Sequence, residues 1–290
     1  MRIIFARMRR FHLTVLSTLL ALPFATAMAA PVGYSVNSDQ PLGDTLHTVD
    51  LNTGASSPVG VGVILLGPPA LSDVEGLAIA PDLALWGVDE ESMTLFQVDT
   101  DDGTVVLGSE RSISGLDEPA KNDFGLTFTC DGTLYATSVA SRSLYILDDE
   151  GNATRVGTKG SLGVNISALA SWGSNPVELY GLGNGLLGDE GPADNRSLYR
   201  VDTETAMVTL VGEIGDAVAD YDEAGLSFDA SGNLWAITDR SRAGQFSEIL
   251  KINKLDGIAT VQATTNVLGF ESLAIGPPIG CNEAPPVGPY

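Results

Sequence analysis

A short strand that ends in an acidic turn recurs along this chain, and this repeat restricts the possible folds more than any other feature. Its five copies begin at Leu46, Leu95, Leu144, Leu198 and Ile249. Successive copies are therefore 49, 49, 54 and 51 residues apart. A period of this length is typical of one blade of a β-propeller.

Three further strand patterns accompany each copy. A segment such as Gly76-Leu-Ala-Ile leads the unit, a Leu-Trp or Leu-Tyr pair follows a turn, and a Val-Gly strand closes it. The strand residues are mostly β-branched or aromatic, and Gly, Asp and Asn separate them. No long Gly-free stretch after the N-terminal segment keeps a 3.6-residue apolar period. The sequence thus predicts an all-β fold with four strands per unit.

The two ends of the chain carry complementary parts of one unit. Residues 34–61 supply strands two to four, and Glu271 to Gly276 supplies only the leading strand. Joining them completes a blade and covers sheet edges that would otherwise be exposed. We therefore predict a five-bladed β-propeller of four-stranded blades, closed by N- and C-terminal strands that share one blade.

The first 29 residues have the pattern of a signal peptide. A basic stretch precedes an apolar run from Leu13 to Ala25, and Ala27-Met-Ala29 gives a small-x-small cleavage pattern. The domain prediction is thus a signal peptide at 1–29, a propeller at 30–280 and a Pro-rich tail at 281–290. We expect a secreted or periplasmic protein without a membrane anchor.

The chain is strongly acidic, with a formal net charge of −22. Cleavage would remove four arginines and no acid, which leaves a charge of about −26. Such a field repels nucleic acid and anionic membranes and attracts cations, including Ca²⁺. Solubility alone would also account for this composition. We expect a monomer that binds an unidentified ligand and no nucleic acid.

Two cysteines, Cys130 and Cys281, are present. In an exported protein an even number of cysteines favours a disulfide, so we predict that these two residues pair. The alternative is two unpaired thiols, because the sequence does not give the distance between them.

Acidic residues lead the innermost strands of several units. Glu75 and Glu271 align at one position, and Asp123 and Glu223 lie one residue earlier in their units. These four carboxylates would crowd around the mouth of the central channel, where like charges require a counter-ion. Oxygen ligands suit Ca²⁺, so we predict a Ca²⁺ site there. Alternatively the acids point into solvent. Successive side chains of a strand point in opposite directions, so the one-residue offset would direct Asp123 and Glu223 away from Glu75 and Glu271.

The sequence contains no recognisable catalytic constellation. After cleavage His47 is the only histidine, and it occupies a position held by Phe96, Tyr145 and Tyr199 in other units, which indicates packing. The segment Asp99 to Gly103 resembles part of an EF-hand loop, but its glycine is one place early, so we interpret it as a hairpin turn.

The repeats resemble those of secreted bacterial propellers, with the pattern Glu-Gly-Leu-Ala, Leu-Trp, Leu-Tyr-x-Val-Asp and Val-Gly. The segment from Ser72 to Glu91 is similar to the opening blade of esterase-like phytases and to the first metal-ligand region of gluconolactonases. This resemblance implies that Glu75 is an acidic metal ligand. The sequence favours a binding or scaffold module, with Ca²⁺ as its candidate ion. The alternative is a metal-dependent hydrolase of the phytase-like or lactonase-like propeller type.

Overall fold

A computed structural model describes residues 31–38, 44–60, 71–118, 122–185 and 195–281. The predicted signal peptide and residues 282–290 of the tail lie outside the described residues. The described chain forms nineteen strands and one 3₁₀ helix, Ser241–Ala243. No helix in this part of the chain is long and apolar enough to cross a membrane.

The strands form five antiparallel sheets, one for each predicted repeat. Blade 1 contains β1 (Val32–Val36), β2 (Leu46–Asp50) and β3 (Ser56–Pro58). Blade 2 contains β4 (Val74–Ile79), β5 (Leu85–Asp89), β6 (Thr94–Val98) and β7 (Arg111–Ser112). Blade 3 contains β8 (Leu126–Phe128), β9 (Leu134–Ser138), β10 (Ser143–Leu147) and β11 (Ala153–Val156).

The strands of the last two blades contain five to seven residues each. Blade 4 contains β12 (Ile166–Trp172), β13 (Glu178–Gly183), β14 (Ser197–Val201) and β15 (Val208–Glu213). Blade 5 contains β16 (Ala224–Phe228), β17 (Leu234–Thr238), β18 (Glu248–Ile252) and β19 (Ala259–Thr264). The predicted all-β, five-bladed propeller is therefore confirmed.

The C-terminal segment completes blade 1. The backbone amide of Tyr34 donates to the carbonyl of Ala274 at 2.7 Å, and the amide of Ala274 donates back at 2.9 Å. A second antiparallel bridge joins Asn37 to Phe270. The buried Ser35 hydroxyl adds a hydrogen bond to the carbonyl of Ser272 at 2.5 Å. The two ends of the chain thus share one blade, as the sequence predicts.

Apolar side chains fill the spaces between neighbouring blades. The aromatic residue that follows the repeated leucine is buried in most blades, with Tyr180 exposing 1% and Trp235 exposing 3% of its surface. The recurrence of an aromatic residue at this position thus reflects packing between blades, because aromatic rings bury a large apolar area. Trp86 in blade 2 differs, since it is only partly buried.

A disulfide joins Cys130 to Cys281, with the two Cα atoms 5.5 Å apart. The segment before Cys281 runs beneath the innermost strands, where the amide of Gly173 donates to the carbonyl of Ile279 at 2.9 Å. Pro277, Pro278 and Ile279 line the lower end of the central channel. The predicted pairing is thus present, and it anchors the segment that follows the closing strand.

Glycine at position 225 lets two innermost strands approach closely. A Cβ atom there would lie 2.2 Å from the backbone nitrogen of Leu273 and 2.3 Å from the carbonyl carbon of Ser272. We expect Gly225→Ala to lower the free energy of unfolding by about 3 kcal/mol, since backbone atoms cannot move aside easily. Gly276→Ala is the matched control, because nothing lies within 4 Å of its added Cβ. Urea unfolding measures both, and equal stabilities would contradict the close contact.

Candidate metal site at the channel mouth

Three of the predicted acids reach the channel mouth from different blades. Glu75 lies in β4, Glu223 immediately precedes β16, and Glu271 begins the closing segment of blade 1. The pairing of β4 with β5 shifts register between Val74 and Gly76, so Glu75 sits in a β-bulge. A bulge changes the direction of the Glu75 side chain. Glu75 and Glu223 can therefore point the same way, although they lie one residue apart in the alignment of the innermost strands.

The three glutamates form a compact group. One carboxylate oxygen from each of Glu75, Glu223 and Glu271 lies within 4.8 Å of the others. Glu75 exposes 7% of its surface and Glu271 exposes 3%. These two acids therefore do not point into solvent. Asp123, the fourth predicted residue, lies near enough to raise the pKa of both Glu75 and Glu223 through charge repulsion.

A second acidic group shares Glu75 with the first. Oxygens of Asp73, Glu75 and Glu90 also lie within 4.8 Å of one another. Glu90 follows β5, in the loop that links the second and third strands of blade 2. Such loops lie on the same face as those that lead into the innermost strands. Glu75 therefore belongs to both groups of carboxylates, which lie on one face of the propeller.

Burial and mutual repulsion both disfavour charge on these acids. Burial is the largest cause that raises the pKa of Glu75, followed by repulsion from Glu223 and Glu271. Burial, then repulsion from Asp123, raises the pKa of Glu223. Burial, then repulsion from Asp73 and Asp123, raises the pKa of Glu90 to about 9. The cluster therefore takes up protons or requires a cation near neutral pH.

Polar atoms without hydrogen-bond partners also face this region. The Oγ of Ser167, a residue with only 3% exposure, is unpartnered, and so is one carboxylate oxygen of Glu223. Ser167 lines a small cavity of about 10 Å³ together with Glu75 and Ser272. A space of this size holds roughly one water-sized species. Buried polar groups normally have partners, so these atoms are consistent with a bound ion or water.

Three arginines of this face are paired with other acids, whereas Arg142 donates to the amide oxygen of Asn165 at 2.9 Å. Arg240 contacts Glu248 at 3.2 Å, Arg196 contacts Asp220 at 3.3 Å, and Arg242 pairs with the buried Asp222. Each of these three cations thus already has an acidic partner outside the Glu75, Glu223 and Glu271 group. The donor set consists of oxygen atoms, which fits a hard cation such as Ca²⁺ better than a softer metal.

Sequence reasoning brought together Glu75, Asp123, Glu223 and Glu271 but missed the contributions of Glu90 and Ser167. Glu90 could have been found, because its loop lies on the predicted acidic face. Ser167 aligns with Glu75 and Glu271, but only the structure shows that its hydroxyl is unpartnered. The metal itself stays a prediction.

His47 and the EF-hand-like segment behave as the sequence indicated. His47 exposes 7% of its surface, packs edge-on against Phe270 with ring centroids 5.2 Å apart, and has a pKa lowered to about 4 by burial. Asp99 to Gly103 form a turn in which the amide of Gly103 donates to the carbonyl of Asp99 at 2.8 Å. Gly103 has a φ of 76°, which this turn requires.

Several solved structures are similar in fold to this chain. A protein of unknown function from Bacteroides caccae has a TM-score of 0.51 at 12% identity, with 84% of this chain and 98% of that chain covered. A gluconolactonase from Xanthomonas campestris has a TM-score of 0.47 at 16% identity, with coverages of 84% and 78%. Virginiamycin B lyase from Staphylococcus aureus has a TM-score of 0.44 at 17% identity, with coverages of 81% and 70%.

These similarities concern the fold alone. The five sheets of this chain and its similarity to the Bacteroides caccae protein agree with the predicted architecture. No protein-family model matches the chain, and no curated protein matches its sequence. The activity must therefore be argued from the residues of this chain, since one propeller fold supports many functions.

Proposed function

We propose that this protein is an exported propeller that holds Ca²⁺ at its channel mouth and uses that acidic face to bind a ligand. The observation that carries the proposal is the convergence of Glu75, Glu223 and Glu271, two of them almost fully buried. Buried carboxylates that repel one another are stabilised by a cation. The unpartnered oxygens of Ser167 and Glu223 support the same site.

The ligand of this face is proposed to be a cationic, sugar or protein group that approaches the loaded Ca²⁺ site. Acidic loops around the mouth favour cationic partners through long-range attraction. A bound Ca²⁺ would also offer a coordination position to hydroxyl or carbonyl oxygens. The predicted secreted or periplasmic location supplies free Ca²⁺, and the Cys130–Cys281 disulfide is compatible with such an oxidising compartment.

A metal-dependent hydrolase is the second candidate, and the convergence of the same carboxylates favours it. A Ca²⁺ ion there would polarise a substrate or activate water. Against this, the cavity beside Glu75 measures only about 10 Å³, far below the size of a substrate pocket. Arg240 and Arg242 are also already paired with Glu248 and Asp222, which removes two cations that could hold a phosphate. We therefore favour the binding function.

Thermal unfolding with EDTA, Mg²⁺ or Ca²⁺ tests the proposed site. A ligand that binds only the folded state at a hundredfold excess over its Kd stabilises by about 2.7 kcal/mol, which raises Tm by roughly 5–10 °C for a chain of this size. We expect this rise with Ca²⁺ and a much smaller one with Mg²⁺, which demands stricter octahedral geometry. In Glu75→Gln the Ca²⁺ effect should disappear.

Glu204→Gln is the matched control, because it removes one exposed carboxylate from a turn in blade 4. This variant should keep the full response to Ca²⁺. Equal small shifts with both ions, unchanged in Glu75→Gln, would mean that cations only screen the acidic surface, and the proposed site would be wrong. Ca²⁺-dependent turnover of lactone, ester or phosphoester substrates by the loaded protein would favour the hydrolase instead.

A further inference from the structure

An aromatic cavity of about 340 Å³ opens between blades 2 and 3, on the face opposite the carboxylate cluster. Trp86 of β5 and Phe128 of β8 form its floor, with ring centroids 6.4 Å apart. Ile146 adds an apolar wall. Three carboxylates stand on its rim, in the turns of blade 3: Asp131, Asp148 and Asp149.

The same aromatic pair recurs between blades 4 and 5. Tyr180 occupies the position that Trp86 has in blade 2. In the strand register, Tyr180 lies opposite Ala170 of its innermost strand, and Trp86 lies opposite Ala78. Phe228 occupies the position of Phe128, and its ring centroid lies 5.6 Å from that of Tyr180. The two spaces are therefore equivalent at these two aromatic positions, whereas Trp172 of blade 4 corresponds to Ala80 in blade 2.

Cations of the chain itself occupy the space between blades 4 and 5. The guanidinium of Arg200 lies 5.1 Å from the centroid of the Tyr180 ring. The ammonium of Lys254 lies 3.7 Å from the Trp172 centroid and 5.5 Å from that of Phe228. Attraction between a cation and a ring face stabilises such contacts. The Tyr180 ring thus accepts a guanidinium, and the Trp172 and Phe228 rings accept a lysine ammonium.

The equivalent positions between blades 2 and 3 carry no cation. Arg200 lies opposite Tyr180 across its strand pair, whereas Gln97 lies opposite Trp86. Lys254 corresponds to Asp149 in the repeat alignment. The residues that line the cavity, all within the described ranges, include no Lys or Arg. The Trp86 ring is therefore left partly exposed while Phe128 stays buried, and an acidic rim replaces the cations.

We propose that this cavity binds a lysine side chain of a partner polypeptide, with its ammonium over Trp86 and between the rim carboxylates. The aliphatic stem would lie along Ile146, as long cationic side chains commonly cover apolar surface. Two rim acids have a lowered pKa because they accept hydrogen bonds: Asp131 accepts one from Thr129, and Asp148 accepts one from Asn152. Both remain ionised at neutral pH. This site is independent of the proposed Ca²⁺ function.

Chemical shifts of the tryptophan indole groups test this proposal. The protein has three tryptophans, and Trp86→Leu identifies the Trp86 signal in ¹H–¹⁵N spectra. The probe is the peptide acetyl-Gly-Gly-Lys-Gly-Gly-amide at millimolar concentration, and its Nε-acetylated form is the neutral control. We expect the Trp86 signal to shift with the lysine peptide and not with the acetylated one. Glu75→Gln and EDTA should leave this binding unchanged.

Two substitutions that introduce the cations of blades 4 and 5 into the cavity test the proposal more directly. Gln97→Arg and Asp149→Lys place cations where Arg200 and Lys254 lie in the other space, so each should weaken peptide binding at least about fivefold. Glu204→Lys adds the same charge change as Asp149→Lys in a distant turn and should have little effect. Conversely, Lys254→Ala removes the ammonium and most of the side chain from the Trp172 ring, and it should create a second site that shifts the Trp172 signal.

Three results would overturn the proposal. The first is the absence of a Trp86 shift in the folded protein, and the second is an equal shift with the acetylated peptide. The third is unchanged binding in both Gln97→Arg and Asp149→Lys, because an ammonium elsewhere on the surface would not compete with these cations. Loss of the Ca²⁺ response with retained peptide binding would contradict only the function proposed for the other face.

Discussion

Removal of the disulfide is expected to lower the free energy of unfolding by about 3–5 kcal/mol. The bridge closes a loop across a sequence separation of 151 residues, and a crosslink of this length removes much entropy from the unfolded chain. It also anchors Pro277–Ile279 beneath the channel, directly after the strand that closes blade 1. The measurement is urea unfolding of the double variant Cys130→Ser/Cys281→Ser against the oxidised protein.

Reduced protein of the original sequence is the control for this experiment, since it should lose the same stability as the double variant. The double variant should not respond to a reductant. Hydrogen exchange separates a local effect from a global one. Its reporters are the amides of Tyr34 and Ala274, each of which donates a hydrogen bond to the carbonyl of the other residue at the closing strand. We expect their amides to lose protection first. A stability change below about 1 kcal/mol would show that closure of the ring does not depend on the bridge.

In the absence of divalent cations, the protein is expected to be more stable at pH 5.5 than at pH 8.5. Folding raises the pKa of Glu75, Glu223 and Glu90, the last to about 9. The folded state therefore keeps protons that the unfolded chain releases above about pH 4.5, and stability falls as the pH rises towards 9. Each retained proton contributes about 1.4 kcal/mol per pH unit to this change. Because solvent reaches Glu90 and weakens its contribution, we expect the free energy of unfolding to fall by about 3 kcal/mol over this range.

Urea unfolding in EDTA between pH 5.5 and pH 8.5 measures this effect. Glu90→Gln should reduce the pH dependence, because its neutral amide has no proton to release, whereas Glu75 and Glu223 keep their share. Saturating Ca²⁺ should weaken or reverse the dependence, since it stabilises the ionised carboxylates. A stability in EDTA that is constant or rises over this range would mean that the acids at the channel mouth are not crowded as the structure shows.

The period of the repeat determined the fold of this protein. Copies about 50 residues apart, each with four short strand patterns, leave few alternatives to a propeller. The placement of one missing strand at the C-terminus also predicted the shared blade, because unpaired sheet edges are unfavourable. The Tyr34–Ala274 pairing confirms that step. These properties are periodic, so a single sequence is sufficient to show them.

The candidate site was predictable only in part. Alignment of the innermost strands placed Glu75 and Glu271 at one level, but it gave no reason for Glu223 to point the same way. The β-bulge at Glu75 changes that register, and nothing in the repeat pattern indicates a bulge. Glu90 joins the group through a loop from the next strand pair, which requires a distance that the sequence does not contain.

The sequence by itself therefore determined the class of fold, the number of blades and the acidic face, whereas the tertiary structure decided which side chains meet. Cys130 and Cys281 illustrate this, since only the path of residues 277–279 under the channel brings their Cα atoms to 5.5 Å. The uncovered ring of Trp86 likewise depends on Gln97 and Asp149, which different blades supply. Strand periodicity is a local property of the chain, whereas contacts between blades depend on bulges, loop paths and packing that arise only when the ring closes.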